Sequence, residues 1–186
     1  MNFKNILAIA TAAIVSFTAT GAFAQSDKEK KQAEVRTKAE ATLADFYKAQ
    51  PTLKAQVEMA PGYAVFTTYG LSFLVGGAGG KGVVHDNKTK KNTYMDLGQA
   101  SAGLQIGAQE ARYLFVFKDA KAMQSFIDSG WTASGEGGAG AGAGKSAAGG
   151  TGGQFTGGTV YSLTKQGFQA GGAVAGTKVW KDKELN

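Results

Sequence analysis

The sequence predicts an α+β domain, built from a single antiparallel, strongly bent or barrel-like β-sheet with an N-terminal amphipathic helix and one further helix. First, apolar residues recur with helical spacing before residue 50, which predicts one long helix. Second, short β-branched and aromatic runs follow between turn residues, as is typical of strands. Third, many of the 28 glycines fall inside these runs, where they permit bending and close backbone approach. We expect about six to eight strands, within the usual size of a sheet.

The first 24 residues have the features of a secretory signal peptide. Lys4 is a positive start, Ile6–Phe17 is apolar, and Ala22-Phe23-Ala24 is a small-x-small cleavage site. The apolar run is shorter than the roughly 20 residues of a transmembrane helix. We therefore predict cleavage after Ala24 and one mature domain over residues 25–186, which is exported to the periplasm and can associate peripherally with a membrane. An uncleaved N-terminal anchor is the alternative.

Composition narrows the class of protein further. The chain has no cysteine, which excludes disulfides, thiol chemistry and a lipid-modified cysteine at the mature N-terminus. The formal charge of +6 becomes +5 when Lys4 is removed with the signal peptide, since 6 − 1 = 5. A modestly basic protein suits anionic partners such as phospholipid headgroups. Because an exported protein is separated from nucleic acid, we expect no nucleic-acid partner.

The long predicted helix covers Ser26–Gln50. Its apolar stripe favours packing against the sheet. The alternative is a helix that docks on a membrane, but the mixed acidic and basic residues lack the strongly cationic face of such helices. A second, short helix is predicted over Thr52–Met59. The apolar stripe consists of Ala39, Leu43, Phe46 and Tyr47.

The segment Ala60–Val84 predicts the start of the sheet. An apolar run is interrupted at Gly70 and resumes before the glycines of Gly76–Gly82, so we expect two strands and a glycine-rich crossing. His85–Lys91 is a polar hairpin tip with turn residues at its centre. Further strands are predicted over Asn92–Leu97 and over Ser101–Phe117, which is interrupted at Glu110–Arg112, where Glu110 and Arg112 can form a structural ion pair.

The remaining chain predicts one helix and further strands around a glycine-rich segment. Asp119 is a suitable N-cap for a helix that runs to Ser129 and is closed by Gly130. Gly135–Gly158 has the composition of a flexible linker. Predicted strands are Trp131–Ser134, Thr159–Thr164 and Phe168–Trp180, followed by a polar tail, Lys181–Asn186.

Three blocks of the sequence resemble the signature of the SYLF domain family. They are APGYAVFTTYGLSFLVGGAGGKGVV at Ala60–Val84, ASAGLQIGAQEARYLFVF at Ala100–Phe117 and GFQAGGAVAGTKVW at Gly167–Trp180. The resemblance spans roughly residues 30–182. It implies a non-catalytic lipid-binding module, which in eukaryotic members recognises phosphoinositides, a specificity not expected to transfer unchanged to an exported bacterial-type protein. It also implies β-structure at both edges of Gly135–Gly158 around a mobile middle.

Candidate catalytic and cofactor motifs fail in their sequence context. Gly77–Gly82 fits G-x-G-x-x-G, but a strand pattern follows instead of the required helix. Ala139–Ser146 nearly matches a phosphate-binding P-loop, but it lacks the first glycine and a following helix. His85 is the only histidine, no serine lies in a nucleophile elbow, and no residue spacing indicates a metal site. We therefore predict no enzymatic activity, no cofactor and no metal.

The predicted function is association with anionic lipids at a membrane surface, through basic side chains that each contribute on the order of 1 kcal/mol. The helix start, the signature glycines and the hairpin tip supply the cations, and two aromatic residues would insert if the helix swings away. One alternative is a structural or envelope-interaction protein that self-associates through glycine-rich β-structure. Another, an outer-membrane barrel, is disfavoured because the strands lack steady alternation. The candidate lipid-binding residues are Lys28, Lys30, Lys31, Phe46, Tyr47, Lys81, Lys88, Lys90 and Lys91.

Overall fold

The computed structural model describes residues 19–72, 76–101, 107–132, 153–164, 167–170 and 177–186, and every structural statement below concerns these residues. They form three helices and nine strands. The helices are α1 (Ala19–Ala49), α2 (Leu53–Met59) and α3 (Ala120–Ser129). The strands are β1 (Gly62–Ser72), β2 (Gly76–Asp86), β3 (Asn92–Ser101), β4 (Gly107–Phe117), β5 (Trp131–Thr132), β6 (Gly153–Phe155), β7 (Gly158–Thr164), β8 (Gly167–Ala170) and β9 (Thr177–Lys181).

All nine strands belong to one antiparallel sheet that curls into a half-barrel. Their order is β5-β9-β3-β2-β1-β4-β7-β6, and β8 also pairs with β7. The curl brings distant strands together: the Tyr113 hydroxyl on β4 donates to Gln99 Oε1 on β3 over 3.3 Å. In a flat sheet, two strands separated by two others would lie about 14 Å apart. The predicted α+β class and strongly bent sheet are thus confirmed.

The concave face of the sheet holds an aromatic core. Phe66, Phe115 and Phe155 meet Phe126 of α3 and Trp131 of β5, with ring centroids 5.2–6.4 Å apart. Most of these pairs are tilted or edge-to-face. Such pairs contribute roughly 0.5–1.5 kcal/mol each beyond the area that they bury. This core holds α3 inside the curl.

The ends of α3 match the predicted capping residues. The Asp119 carboxylate accepts a hydrogen bond of 2.7 Å from the Ala122 N–H. At the other end, Gly130 adopts φ +70°, which suits glycine because it has no Cβ. The predicted helix bounds are therefore confirmed to within one residue.

The convex face of the sheet is covered by α1 and α2. Phe46 of α1 is fully buried, and its ring meets Phe168 edge-on at 6.3 Å. Leu53 and Val57 of α2 are buried in the same cluster, with Val65 and other residues of the sheet. The interpretation that the apolar stripe packs on the sheet is confirmed. The helix begins at Ala19, upstream of the predicted start.

Several predicted strand boundaries were wrong, for one physical reason. β1 continues through Gly70, which is paired on both sides, with Ala78 and Gln109. β4 likewise runs without a break through Glu110–Arg112, because β1 pairs with it there. Hydrogen bonds to neighbouring strands hold the backbone extended where local composition indicated a break. The predicted ion pair is confirmed, with Arg112 Nη2 2.6 Å from Glu110 Oε1.

The C-terminal part of the chain also differs from the prediction. Phe168–Trp180 is not one strand: β8 pairs with β7, whereas β9 pairs with β3 and β5 at the other side of the sheet. The polar tail is packed, since Asp182 and Leu185 are buried. A polar composition indicates exposure on average, but here hydrogen bonds and an ion pair satisfy the tail's polar groups.

Residues 1–18 and most of Gly135–Gly158 lie outside the described residues, so the signal peptide and the middle of the glycine-rich segment stay predictions. The P-loop-like stretch Ala139–Ser146 also lies there. At the C-terminal edge of the segment, β6 and the start of β7 confirm the expected strand. Among the described helices, none is both long and apolar enough to cross a membrane.

Candidate functional site

A groove of about 610 Å³ lies between the middle of α1, residues 31–39, and the convex face of the sheet. On the helix side it is lined by Val35 and Ala39, and on the opposite side by Trp180. Cavities of about 300–1,000 Å³ are typical of small-molecule sites. A second cavity on the other flank of α1, beside His85, measures about 110 Å³, which is too small for that class.

The floor of the groove is formed by a cross-strand pair of glycines. Gly79 on β2 lies directly opposite Gly98 on β3, and both line the groove. A Cβ at Gly79 would meet no described atom within 4 Å, whereas one at Gly98 would lie 3.0 Å from Trp180 Cη2. The indole ring therefore rests on Gly98, whereas the space above Gly79 is open.

Lysines and carboxylates alternate around the groove. Lys81 donates to the Asp96 carboxylate over 2.8 Å and to the buried Asp182 carboxylate. Desolvation lowers the pKa of Lys81, but the hydrogen bonds and charges of the two aspartates outweigh it, so the pKa lies above its ordinary value. Lys38 donates to Glu34 over 2.7 Å. Both lysines are thus engaged within the protein.

Lys31 differs from these two lysines. It is exposed, lines the groove, and makes no ion pair or side-chain hydrogen bond with any described residue. Lys178 lies opposite Gly98 in the sheet register and is exposed two residues before Trp180, hence on the same face of β9. It too has no ion-pair partner within the described part of the chain. Lys31 therefore lines the same groove as Trp180, and Lys178 lies two residues from Trp180 on the same face of β9.

The C-terminal segment joins α1 to the sheet beside the groove. Leu185 is 2% exposed and packs with Val35 and Tyr94. Its carbonyl accepts a hydrogen bond of 2.7 Å from Gln32 Nε2. The Asn186 side chain donates to the Tyr94 carbonyl over 2.7 Å and accepts from the Tyr94 N–H over 3.0 Å. One wall of the groove is therefore held in place by residues 182–186.

The predicted lipid-binding residues do not form a single surface. Near the predicted helix start, which lies inside α1, Lys28 donates to the Asn186 carbonyl over 2.8 Å. Lys30 is exposed and lies 4.0 Å from Asp27, a distance and exposure at which an ion pair contributes little. Lys81 is held between two aspartates. Lys88, Lys90 and Lys91 are exposed at the hairpin tip, on the order of 20 Å along β2 from Lys81.

The two predicted aromatic residues face the sheet. Phe46 is fully buried, and Tyr47 is partly buried against the same cluster. Desolvation, followed by the nearby Tyr63 and Glu58, raises the pKa of Tyr47 to about 12. Both rings would reach a membrane only if α1 left the sheet, as the prediction specified. Insertion by these residues therefore stays a prediction.

Sequence reasoning missed Gly79, Gly98 and Trp180 as neighbours. Glycines in successive strands were visible in the sequence, but their pairing depends on the β2–β3 register. In the sequence, the G-x-G-x-x-G match at Gly77–Gly82 was rejected because a strand pattern follows it. The structure supports this interpretation, since β2 continues as a strand to Asp86. Among the described residues, no cluster of three or more acidic or histidine side chains could hold a metal ion.

The fold and the groove define a single-sheet α+β domain with a long helix over its convex face. Residues 98–186 match the family Ysc84, described as "Las17-binding protein actin regulator". A relative from Aeromonas veronii, named beta cell expansion factor A, is 31% identical over 151 residues, which is 81% of this chain and 57% of the relative. The chain thus spans little more than half of that relative's length. Over residues 98–186 the chain therefore matches the SYLF (Ysc84) family, in agreement with the resemblance seen in its sequence.

Proposed function

We propose that this domain binds anionic phospholipid headgroups at a membrane surface, without catalysis. The observation that supports this is an exposed indole beside unpaired cations on one face. Trp180 is 42% exposed; Lys31 lines the same groove, and Lys178 lies on the same face of β9. A tryptophan ring suits the headgroup region because one end is apolar and the other polar. Each lysine near an anionic surface contributes on the order of 1 kcal/mol.

The ion pairs within the protein determine which lysines are available to bind lipid headgroups. Lys81 and Lys38 already neutralise carboxylates, so recruiting them would leave those carboxylates unpaired. Lys31 and Lys178 carry no such cost, and Lys30 would give up only its exposed 4.0 Å ion pair with Asp27, which contributes little. The proposed membrane-facing surface is therefore the groove side of α1 near Lys31 together with Lys178 and Trp180 of β9, and not the hairpin tip.

Vesicle co-sedimentation tests this proposal. The protein is mixed with neutral or anionic phospholipid vesicles at low and high salt. We expect binding to anionic vesicles that weakens with salt, because exposed charges are screened. Lys31→Glu should weaken it by about tenfold or more, since one attraction is replaced by a repulsion. Lys88→Glu, an identical change of charge at the hairpin tip, is the matched control and should leave binding unchanged.

Two outcomes would contradict the proposal. If Lys31→Glu and Lys88→Glu weakened vesicle binding equally, the lipid-binding surface would have to include the hairpin tip. Absence of binding to both kinds of vesicle would overturn lipid binding and favour the self-association alternative, which sedimentation velocity would reveal as concentration-dependent oligomers.

We further propose that the chain is exported and cleaved after Ala24. The support comes from the sequence of the first 24 residues, with its positive start, apolar run and small residues. Fractionation of expressing bacteria, followed by mass determination, tests this. We expect a periplasmic species that begins at Gln25. A full-length cytoplasmic species would overturn it.

A further inference from the structure

We propose that the groove beneath α1 holds one straight acyl chain, of a fatty acid or of a membrane phospholipid. This inference rests on the proposed lipid-binding function and adds an internal site to it. The volume of about 610 Å³ lies within the range of small-molecule sites. The shape, polarity and charge of the lining identify the class of ligand.

The floor is shaped for a slender, linear ligand. Gly79 and Gly98 lie opposite each other at adjacent positions of two paired strands; the Trp180 ring rests on Gly98, and the floor is bare backbone at Gly79. No described atom lies within 4 Å of where a Gly79 Cβ would be. A chain of methylenes, which lacks branches, can lie against such a surface beside the edge of the Trp180 ring.

The floor offers few hydrogen bonds to a polar ligand. β2 is paired with β1 and β3, and β3 is paired with β2 and β9. The backbone groups of Gly79 and Gly98 therefore lie inside continuous ladders and face sheet partners rather than the groove. A sugar or nucleotide would lose its hydrogen bonds to water on entering, whereas an acyl chain has none to lose.

The walls are apolar and the lining charges balance. Val35, Ala39, Val65 and Leu185 line the groove together with Trp180. The lining contains three lysines and three carboxylates, which are Lys31, Lys38, Lys81, Glu34, Asp96 and Glu184. Binding inside the groove should therefore depend little on salt, in contrast to headgroup binding at its rim.

Quenching of Trp180 fluorescence by a spin-labelled fatty acid tests the proposal. The label is placed on the acyl chain, and the fatty acid is kept monomeric. We expect saturable quenching at one fatty acid per protein, with similar affinity at low and high salt. The Trp180→Phe variant keeps an aromatic ring over Gly98 and retains Trp131 as its one tryptophan, so it should lose the quenching.

A groove-filling variant supplies the decisive comparison. In Gly79→Leu the new side chain enters the open space, displaces about two methylenes at about 0.8 kcal/mol each, and should weaken binding about tenfold. Ala55→Leu places the same side chain on the exposed side of α2 and should bind as the parent does. If Gly79→Leu fails to fold, Gly79→Val places less bulk at the same position. Unchanged affinity in a folded Gly79 variant, or no quenching in the parent, would overturn the proposal.

Two further measurements distinguish a fatty acid from a membrane phospholipid as the source of the acyl chain. They also distinguish the groove inference from the headgroup proposal. Vesicles with spin-labelled phospholipid should quench Trp180 if the groove takes a chain from a membrane, whereas quenching by the monomer alone assigns the site to free fatty acid. If vesicles co-sediment with the protein but neither ligand quenches Trp180, the groove inference fails and the headgroup proposal stands. If monomeric fatty acid quenches Trp180 but the protein does not bind vesicles, the groove inference stands and the headgroup proposal fails.

Discussion

The hydroxyl groups of Thr42 and Thr67 lie 2.8 Å apart in the buried interface between α1 and β1. Both residues are less than a tenth exposed, so each hydroxyl depends on the other for a partner. We expect Thr42→Val to lower the free energy of unfolding by about 1–3 kcal/mol, because the Thr67 hydroxyl is left unsatisfied. The double variant, Thr42→Val with Thr67→Val, should lose less than the sum of the single changes. Urea denaturation measures this, and strict additivity would contradict it.

The glycines of β2 should respond differently to the same substitution. A Cβ at Gly82 would lie 2.3 Å from Phe66 Cδ1 and 2.3 Å from the Val65 carbonyl oxygen. Gly82→Ala should therefore destabilise the protein by about 1–3 kcal/mol through overpacking. Gly79→Ala is the matched control, since its Cβ enters the groove, and its melting temperature should equal or exceed that of the parent. Equal melting temperatures for the two variants would refute the assignment of Gly79 to the groove face and of Gly82 to the face that packs on Phe66.

The carboxylate of Asp182 should make stability depend on acidic pH. Burial raises its pKa, but the Lys81 ammonium and the N–H groups of Leu185 and Glu184 more than offset this, so the pKa lies below its ordinary value. The contribution to stability is therefore present above the pKa of the unfolded chain and is lost as pH falls through the folded pKa. Asp182→Asn should cost about 1–3 kcal/mol at neutral pH and make the acid decline shallower.

Denaturation of parent and variant at several pH values between about 7 and 2 checks this. Asp128→Asn, at an exposed position of α3, serves as the control. A parallel acid decline in the parent and in Asp182→Asn would show that this carboxylate is not a source of the pH dependence.

Truncation of Phe46 distinguishes a core residue from a membrane anchor. Because its ring is fully buried, Phe46→Ala should lower the free energy of unfolding by about 3–5 kcal/mol. Met59 is 87% exposed, so Met59→Ala should leave stability within about 0.5 kcal/mol of the parent. If Phe46→Ala reduced vesicle binding but not stability, the ring would act outside the core, as the insertion hypothesis requires.

Leu185 should control how firmly the N-terminal half of α1 is held. Leu185→Ala removes buried contacts with Val35 and Tyr94 and should cost about 2–5 kcal/mol. Hydrogen exchange should accelerate in α1 near Gln32 more than near Phe46, because local contacts set local opening. Uniform acceleration along α1 would instead indicate that the whole helix opens as one unit.

Local patterns predicted most elements of this fold. The spacing of Ala39, Leu43 and Phe46 predicted the buried stripe of α1, and Asp119 and Gly130 predicted the ends of α3. These features depend on residues within one or two turns of each other, so a single sequence contains them. Strand ends were predicted less well: Gly70 lies inside β1 because pairing with both neighbours outweighs the low strand propensity of glycine.

The site depended on pairing that no local pattern contains. Alternation along a strand indicates which residues share a face, but it does not identify the neighbouring strand or its register. The sequence by itself determined the class of fold, the helices, the resemblance to the SYLF family and the basic balance of charge. Only the tertiary structure decided that Gly79 faces Gly98 beneath α1 and that Lys81 is neutralised by Asp96 and Asp182. The physical reason is that these contacts join residues distant in sequence, which curling and pairing of the sheet bring together.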